Sequence, residues 1–188
     1  MQGIRENQAN SGALPPKAPQ NQASQQAGKG EANRTVSAFG YQLLSFEIVN
    51  LFDEQHDFVK LEGIGYQIGY RFVERYVRNS PKFTSTLEVI KFLCKDLWGA
   101  AFGKHVDKLQ TNHKGVYVLH DNNFSWVSNL DVDYRNDESL DSAKRFFVVP
   151  CGLLRGMLSN LGVKCTVRAE FSTLPACFFN IHIQEELL

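Results

Sequence analysis

The chain has 188 residues, 43% hydrophobic and 21% charged, the make-up of a soluble globular protein with room for one ordinary domain and a tail. Its 20 basic and 20 acidic residues cancel, so no excess positive charge attracts a phosphate backbone and nucleic acid is excluded as a partner. No run approaches the roughly 18 apolar residues of a membrane span, and residues 1–30 resemble neither a secretory signal nor a presequence, so the chain is expected in the cytoplasm.

Residues 1–35 are rich in Gln, Ala, Asn and Gly and hold no aromatic residue. Such a segment buries too little apolar surface to offset the entropy of ordering it. It is expected to be a disordered tail, with the folded domain over residues 36–188. A first helix is expected over residues 36–52, apolar on almost every side through Phe39, Tyr41, Leu43, Leu44, Phe46, Ile48, Val49 and Leu51. A second, over about 59–78, carries two apolar faces: Leu61, Ile64, Ile68 and Phe72 on one, Tyr66, Tyr70, Val73 and Val77 on the other. Asn79-Ser80-Pro81 should stop it.

Ser85 followed by Glu88 is a capping box, which opens a third helix carrying Leu87, Ile90, Cys94, Leu97 and Ala101 on one seam. Residues 116–119 and 124–127 around Asp121-Asn122-Asn123 are expected to form a β-hairpin. Residues 128–144 form a polar, acidic connection. A fourth helix begins near Pro150, whose missing N–H is harmless in a first turn, and ends at Gly162. Two strands close the chain. Cys165, Val167, Ala169 and Phe171 alternate with polar residues, as do Phe179, Ile181 and Ile183. Alternation puts one face on a core and one toward water, as in an antiparallel sheet. With helices and strands in runs and no repeating βαβ unit, the fold class is α+β.

Few motifs carry chemistry. Gly63, Gly65 and Gly69 sit inside a helical pattern, not between a strand and a helix, so they do not make a dinucleotide loop. Their reading is steric: Gly65 and Gly69 let another element approach closely, and Gly152 and Gly156 repeat the spacing. Asp131, Asp133 and Asp137 start like a calcium loop, but Asn136 and Ser142 stand where it needs Gly and Glu. Cys94, Cys151, Cys165 and Cys177 lie in apolar patterns without metal-ligand spacing, as reduced structural cysteines do. The five histidines are scattered. No catalytic residue, metal or cofactor is expected.

Lys91-Phe-Leu-Cys-Lys-Asp-Leu-Trp98 and Thr111-Asn-His-Lys-Gly-Val-Tyr-Val-Leu-His-Asp-Asn-Asn-Phe124 resemble the small core subunits of the TRAPP (transport protein particle) complex, in the branch called subunit 6. Gly63-Ile-Gly-Tyr-Gln-Ile-Gly69 and residues 150–162 are similar to the same branch, and the resemblance runs from Val36 to about Gln184. It implies four helices packed on a four-stranded antiparallel sheet. It also implies a non-catalytic scaffold subunit of a vesicle-tethering complex in ER-to-Golgi and Golgi transport. Such a subunit pairs with a sister TRAPP subunit through its first two helices, as a heterodimer or alternatively a homodimer. It meets a Rab-type GTPase only through the assembled complex, which promotes nucleotide exchange, and its membrane association at Golgi and ER-Golgi membranes is indirect. A sister subunit carries an acylated Cys just before its third helix. Lys82-Phe83 stands there in this chain, so acylation is not expected. The alternative is a regulatory domain of related fold that binds a small apolar ligand.

Pairing through the first two helices suggests a division of labour on the second. Leu61, Ile64, Ile68 and Phe72 suit the domain's own core. Tyr66, Tyr70, Val73 and Val77 suit a partner, since interfaces are rich in aromatics whose hydroxyls reach the wet rim. Phe39, Leu43 and Phe46 of the first helix would join them. Against this stands a monomer in which the second helix is central and both faces are internal.

Overall fold

A computed structural model describes residues 38–54, 57–78 and 82–185; the expected tail and the helix stop at 79–81 lie outside them. Five helices and four strands follow in the order α1 (Ala38–Glu54), α2 (Phe58–Val77), α3 (Thr86–Phe102), β1 (Lys108–Thr111), β2 (Val116–Asp121), α4 (Asp137–Arg145), α5 (Val148–Asn160), β3 (Lys164–Thr173) and β4 (Ala176–Glu185). The sheet is antiparallel throughout, in the order β1-β2-β4-β3. Four long helices and a four-stranded sheet match the expected α+β class; α4 is an addition.

The closest helix packing is made of glycine. A Cβ on Gly65 or Gly69 would run into the backbone of Val149 and Leu153 on α5, and one on Gly152 or Gly156 into the backbone of Glu62, Tyr66 and Tyr70 on α2. Two small-residue seams therefore cross backbone to backbone, which is the close approach expected of this spacing. Gly63 faces open space. Flanking side chains lock the crossing. Tyr66 Oη and Ser159 Oγ hydrogen-bond at 2.8 Å. Arg155 lies over the Tyr66 ring, 4.8 Å from its centroid, and its guanidinium forms an ion pair with the Glu62 carboxylate, Nε to Oε1 2.9 Å.

α3 opens as expected, with Ser85 Oγ accepting from Glu88 N–H at 3.4 Å. Glu88 reaches back to the N–H and hydroxyl of Thr84, at 2.7 and 2.9 Å. These bonds, N–H of Thr84 first, hold its carboxyl below the usual range. Midway, Leu93–Leu97 is π-helical. Widening a helix frees carbonyls, and the following loop takes them. Cys94 O accepts from Val106 N–H at 3.1 Å, and Lys95 O from His105 Nδ1 at 2.8 Å. The helix ends at Gly103, whose φ of 80° suits glycine.

That loop sets Lys104 against two carboxylates, Asp107 at 2.7 Å and the fully buried Asp121 at 2.8 Å. Asp121 also accepts from Trp98 Nε1 and from Asn123 N–H, both at 3.0 Å. Asp121→Ala leaves a buried indole N–H without its acceptor, which costs about 2 kcal/mol. Urea denaturation should show this loss, whereas Asp107→Ala, at a half-exposed site, should change little.

The expected hairpin around Asp121 is displaced. The hairpin joins β1 to β2 through Asn112–Gly115, and residues 125–127 form a short 3-10 turn. Asn112 Oδ1 accepts from the N–H groups of Lys114 and Val116 at 2.8 and 3.1 Å, while His113 and Gly115 take φ of 55° and 78°. Asp121 is occupied by Trp98 and Lys104, so the chain leaves the sheet there. The expected polar connection contains α4. Asn136 caps it by accepting from Glu138 N–H at 2.9 Å, acidic residues fill its first turn, and Lys144 and Arg145 its last. These charges complement the helix dipole. Arg145 pairs with Asp53 of α1 and lies over the Phe58 ring.

The main core lies between α3, α5 and the sheet, where Trp98, Phe102, Phe124, Phe147 and Phe179 pack ring against ring at 4.8–6.1 Å. Inward and outward residues of β3 and β4 alternate as expected. α5 ends in a Schellman motif: Val163 N–H bonds Leu158 O at 2.9 Å, and Gly162 has φ of 84°.

Candidate partner interface

α1 touches the rest of the domain along one stripe. Val49 is buried with Leu61 and Val149, and Ile48, Phe52 and Phe58 pack around them. Phe46 meets Phe146 edge to face at 5.1 Å. The opposite side of α1 carries Leu43, Leu44 and Leu51, with Leu44 59% exposed. On α2, Ile64 and Ile68 are exposed too, Ile68 to 49%. Leu44 and Leu51 lie seven apart and Ile64 and Ile68 four apart, so each pair shares one side of its helix. Apolar surface grouped in this way marks an interaction site more than scattered residues would.

The division of α2 differs from the expected one. Leu61 and Val73 are fully buried. Phe72 and Val77 are partly buried against the main core. Ile64, Ile68 and Tyr70 are exposed. Each expected face is thus split, with Val73 moved from the partner side to the interior and Ile68 from the interior to the surface. The reason lies in the glycines. The inward direction of α2 runs along Leu61, Gly65, Gly69 and Val73, between the two sets of bulky residues. A wheel weighted by hydrophobicity gives the two glycines no pull.

Of the other residues expected at a partner, Tyr66 is committed to Ser159 and Arg155, and Phe46 to Phe146. Leu43 and Tyr70 are exposed, and Tyr70 stacks on Tyr66 at 6.1 Å. The side chain of Phe39 lies outside the described residues. Nothing in the sequence marks Leu44, Leu51 or Ile64 for pairing. Leu44 and Leu51 were legible only as part of an all-apolar helix.

The cysteines are free and structural in character. Cys94 and Cys151 are half-buried, Cys165 and Cys177 buried. Burial pushes the thiols of Cys94, Cys151 and Cys165 up to about 12, and that of Cys177 upward too, so none is primed as a nucleophile. Just before α3, Phe83 packs on Phe92 at 5.1 Å. Among the described residues, no group of three or more His, Cys, Asp or Glu is placed to hold a metal ion. No helix among them is long and apolar enough to cross a membrane.

The family profile described as "Transport protein particle (TRAPP) component" matches residues 23–184. The chain is 44% identical over 126 residues to trafficking protein particle complex subunit 6b of Danio rerio, covering 67% of this chain and 78% of that protein. It is 46% identical over 125 residues to subunit 6A of Bos taurus, covering 66% and 77%. Among solved structures, it resembles a trafficking protein particle complex subunit 3 from Naegleria fowleri, covalently bound to palmitic acid. The TM-score is 0.59 at 13% identity, over 81% of this chain and 99% of that one. At that identity the likeness speaks for the fold alone.

Proposed function

The chain belongs to the TRAPP component family, in its subunit 6 branch, and we propose that it is a non-catalytic scaffold subunit that pairs with a sister TRAPP subunit through α1 and α2. The observation that carries this is the apolar surface of Leu43, Leu44, Leu51, Ile64 and Ile68, exposed on the two helices while the glycine crossing buries only the Leu61, Gly65, Gly69 and Val73 line of α2. Burying such surface is worth about 25 cal/mol per Å², and a second subunit is the partner that family membership supplies.

On this reading the chain acts in ER-to-Golgi and Golgi vesicle transport, in the cytoplasm and peripherally at those membranes. Any effect on a Rab-type GTPase belongs to the assembled complex. Among the described residues the four thiols are held protonated by burial, and no cluster of three or more His, Cys, Asp or Glu is placed for a metal ion. An enclosed site for a small apolar ligand is not built into the core, because aromatic rings fill it between α3, α5 and the sheet, and the cleft beside Phe58, Val59 and Val148 is open to solvent. The test is direct. The purified chain, mixed with a small TRAPP subunit of another branch, should elute as a heterodimer, and alone it should leave GDP release from a Rab-type GTPase unchanged. Robust exchange by the isolated chain, or failure to pair with any small subunit, would overturn the proposal.

A further inference from the structure

The exposed side of α2 changes character along its length. Ile64, Ile68, Arg71 and Arg75 stand at i, i+4, i+7 and i+11, a spacing that keeps all four on one side of a helix. Arg78, the C-cap residue, continues the same stripe. All three arginines are exposed. Among the described residues none of them makes an ion pair, although Glu74 lies in the same stretch, whereas Arg145 and Arg155 each find a carboxylate. Arg71 is less than one helical turn beyond Ile68, and Arg75 lies about 10 Å along the axis from it. A stable interface covers about 800 Å² of each partner. A subunit seated on Ile64 and Ile68 therefore reaches Arg71 and brings Arg75 to its rim.

We propose that the subunit seated on α1 and α2 presents carboxylates opposite Arg71 and Arg75, so that an acidic stripe on the partner selects it together with apolar contact. This rests on the pairing proposed above and names the chemistry of its partner. Burial of Ile64 and Ile68 stabilises contact with any apolar surface of suitable shape, whereas fixed charge beside them discriminates by sign. Arginine suits such a position, because its flat guanidinium is weakly hydrated and takes a carboxylate through two parallel hydrogen bonds. A neutral or basic partner would strip water from Arg71 without supplying a counter-charge, which opposes association. A second copy of this chain would add its own three arginines to the interface, whereas a sister subunit with carboxylates neutralises them.

Isothermal titration calorimetry of the full chain with the small TRAPP subunit that co-elutes with it, at low and at high salt, tests this. The parent affinity should fall about tenfold between the two conditions. Arg71→Glu and Arg75→Glu, both at exposed sites where the fold tolerates the change, should each weaken pairing about tenfold at low salt. The double variant should reverse the salt dependence, since carboxylates then face carboxylates and screening relieves them. Glu74→Gln should not weaken pairing. In Arg75→Lys, a carbodiimide, which couples an amine to a carboxylate in contact with it, should link position 75 to an Asp or Glu of the partner. Pairing that Ile68→Asp abolishes but Arg71→Glu and Arg75→Glu leave unmoved would keep the interface and overturn the acidic stripe. Failure to pair with any small subunit would overturn both. A homodimer as tight as the mixed pair would overturn the choice of partner. Anionic lipid vesicles bound by the assembled pair through Arg71 and Arg75 would place these arginines outside the interface and overturn the proposal as well.

Discussion

Gly69→Ala should cost the domain about 3 kcal/mol, at the upper end of overpacking penalties, and lower its melting temperature by about 10 °C. Adding a methyl group to a helix interior ordinarily helps, since alanine is favoured over glycine there by about 1 kcal/mol. At Gly69 the new carbon meets the carbonyl and Cα of Leu153. These are backbone atoms of a second helix, so no rotamer change can clear them and α2 and α5 must move apart. Doing so disturbs Leu61, Val73, Leu153 and Leu154, all buried at or beside the crossing. Gly156→Ala should behave alike, because its Cβ meets Tyr66 and Tyr70 backbone from the other side. Gly63→Ala is the internal control: nothing lies within 4 Å of its Cβ, so only the propensity gain of up to about 1 kcal/mol remains. Thermal denaturation of the three variants separates the effects. Equal shifts for Gly63→Ala and Gly69→Ala would mean that the helices do not cross through the glycines.

The same seam shows what the sequence made legible. Spacing alone suggested that Gly65, Gly69, Gly152 and Gly156 allow a close approach, and the two pairs meet each other. The alternation of β3 and β4, the cap at Ser85 and the stop at Gly162 were equally visible, because each is a local pattern with a local cause. What stayed hidden depended on distant partners. Asp121-Asn122-Asn123 has the composition of a turn, but Asp121 is held by Trp98 and Lys104 from another element. β1, with four residues, is too short to show alternation. α4 has only Leu140 and the buried Ala143 for an apolar side, too little to detect, and is fixed also by its cap, its terminal charges and the Arg145–Asp53 pair. The π-helical stretch in α3 is held open by a loop that comes after it. On α2 both apolar faces were visible, yet which of their residues turned inward was decided by the glycines between them.

Ile68→Asp should abolish pairing with a sister subunit while leaving a folded monomer, and Val73→Asp should fail to fold. The two positions are five residues apart on one helix, and sequence alone suggested the opposite assignment. Val73 has no exposed surface and belongs to the main core. A carboxylate there is buried without a partner, at a cost of several kcal/mol even if it takes up a proton. That is a large part of the roughly 5–15 kcal/mol that holds a domain together. Ile68 is 49% exposed, so in the free chain its substitute stays hydrated and stability should change by no more than about 0.5 kcal/mol. In a pair the same carboxylate would be desolvated without a counter-charge, at about 3 kcal/mol or more, which weakens binding at least a hundredfold. Leu44→Asp on α1 should follow Ile68→Asp if both helices face the partner. Tyr70→Asp, on the other flank of the glycine seam, should weaken pairing far less. Circular dichroism and gel filtration with the sister subunit read both properties on the same samples. Should Ile68→Asp unfold the chain, or should Tyr70→Asp prove the more damaging to pairing, the partner lies on the opposite flank of α2.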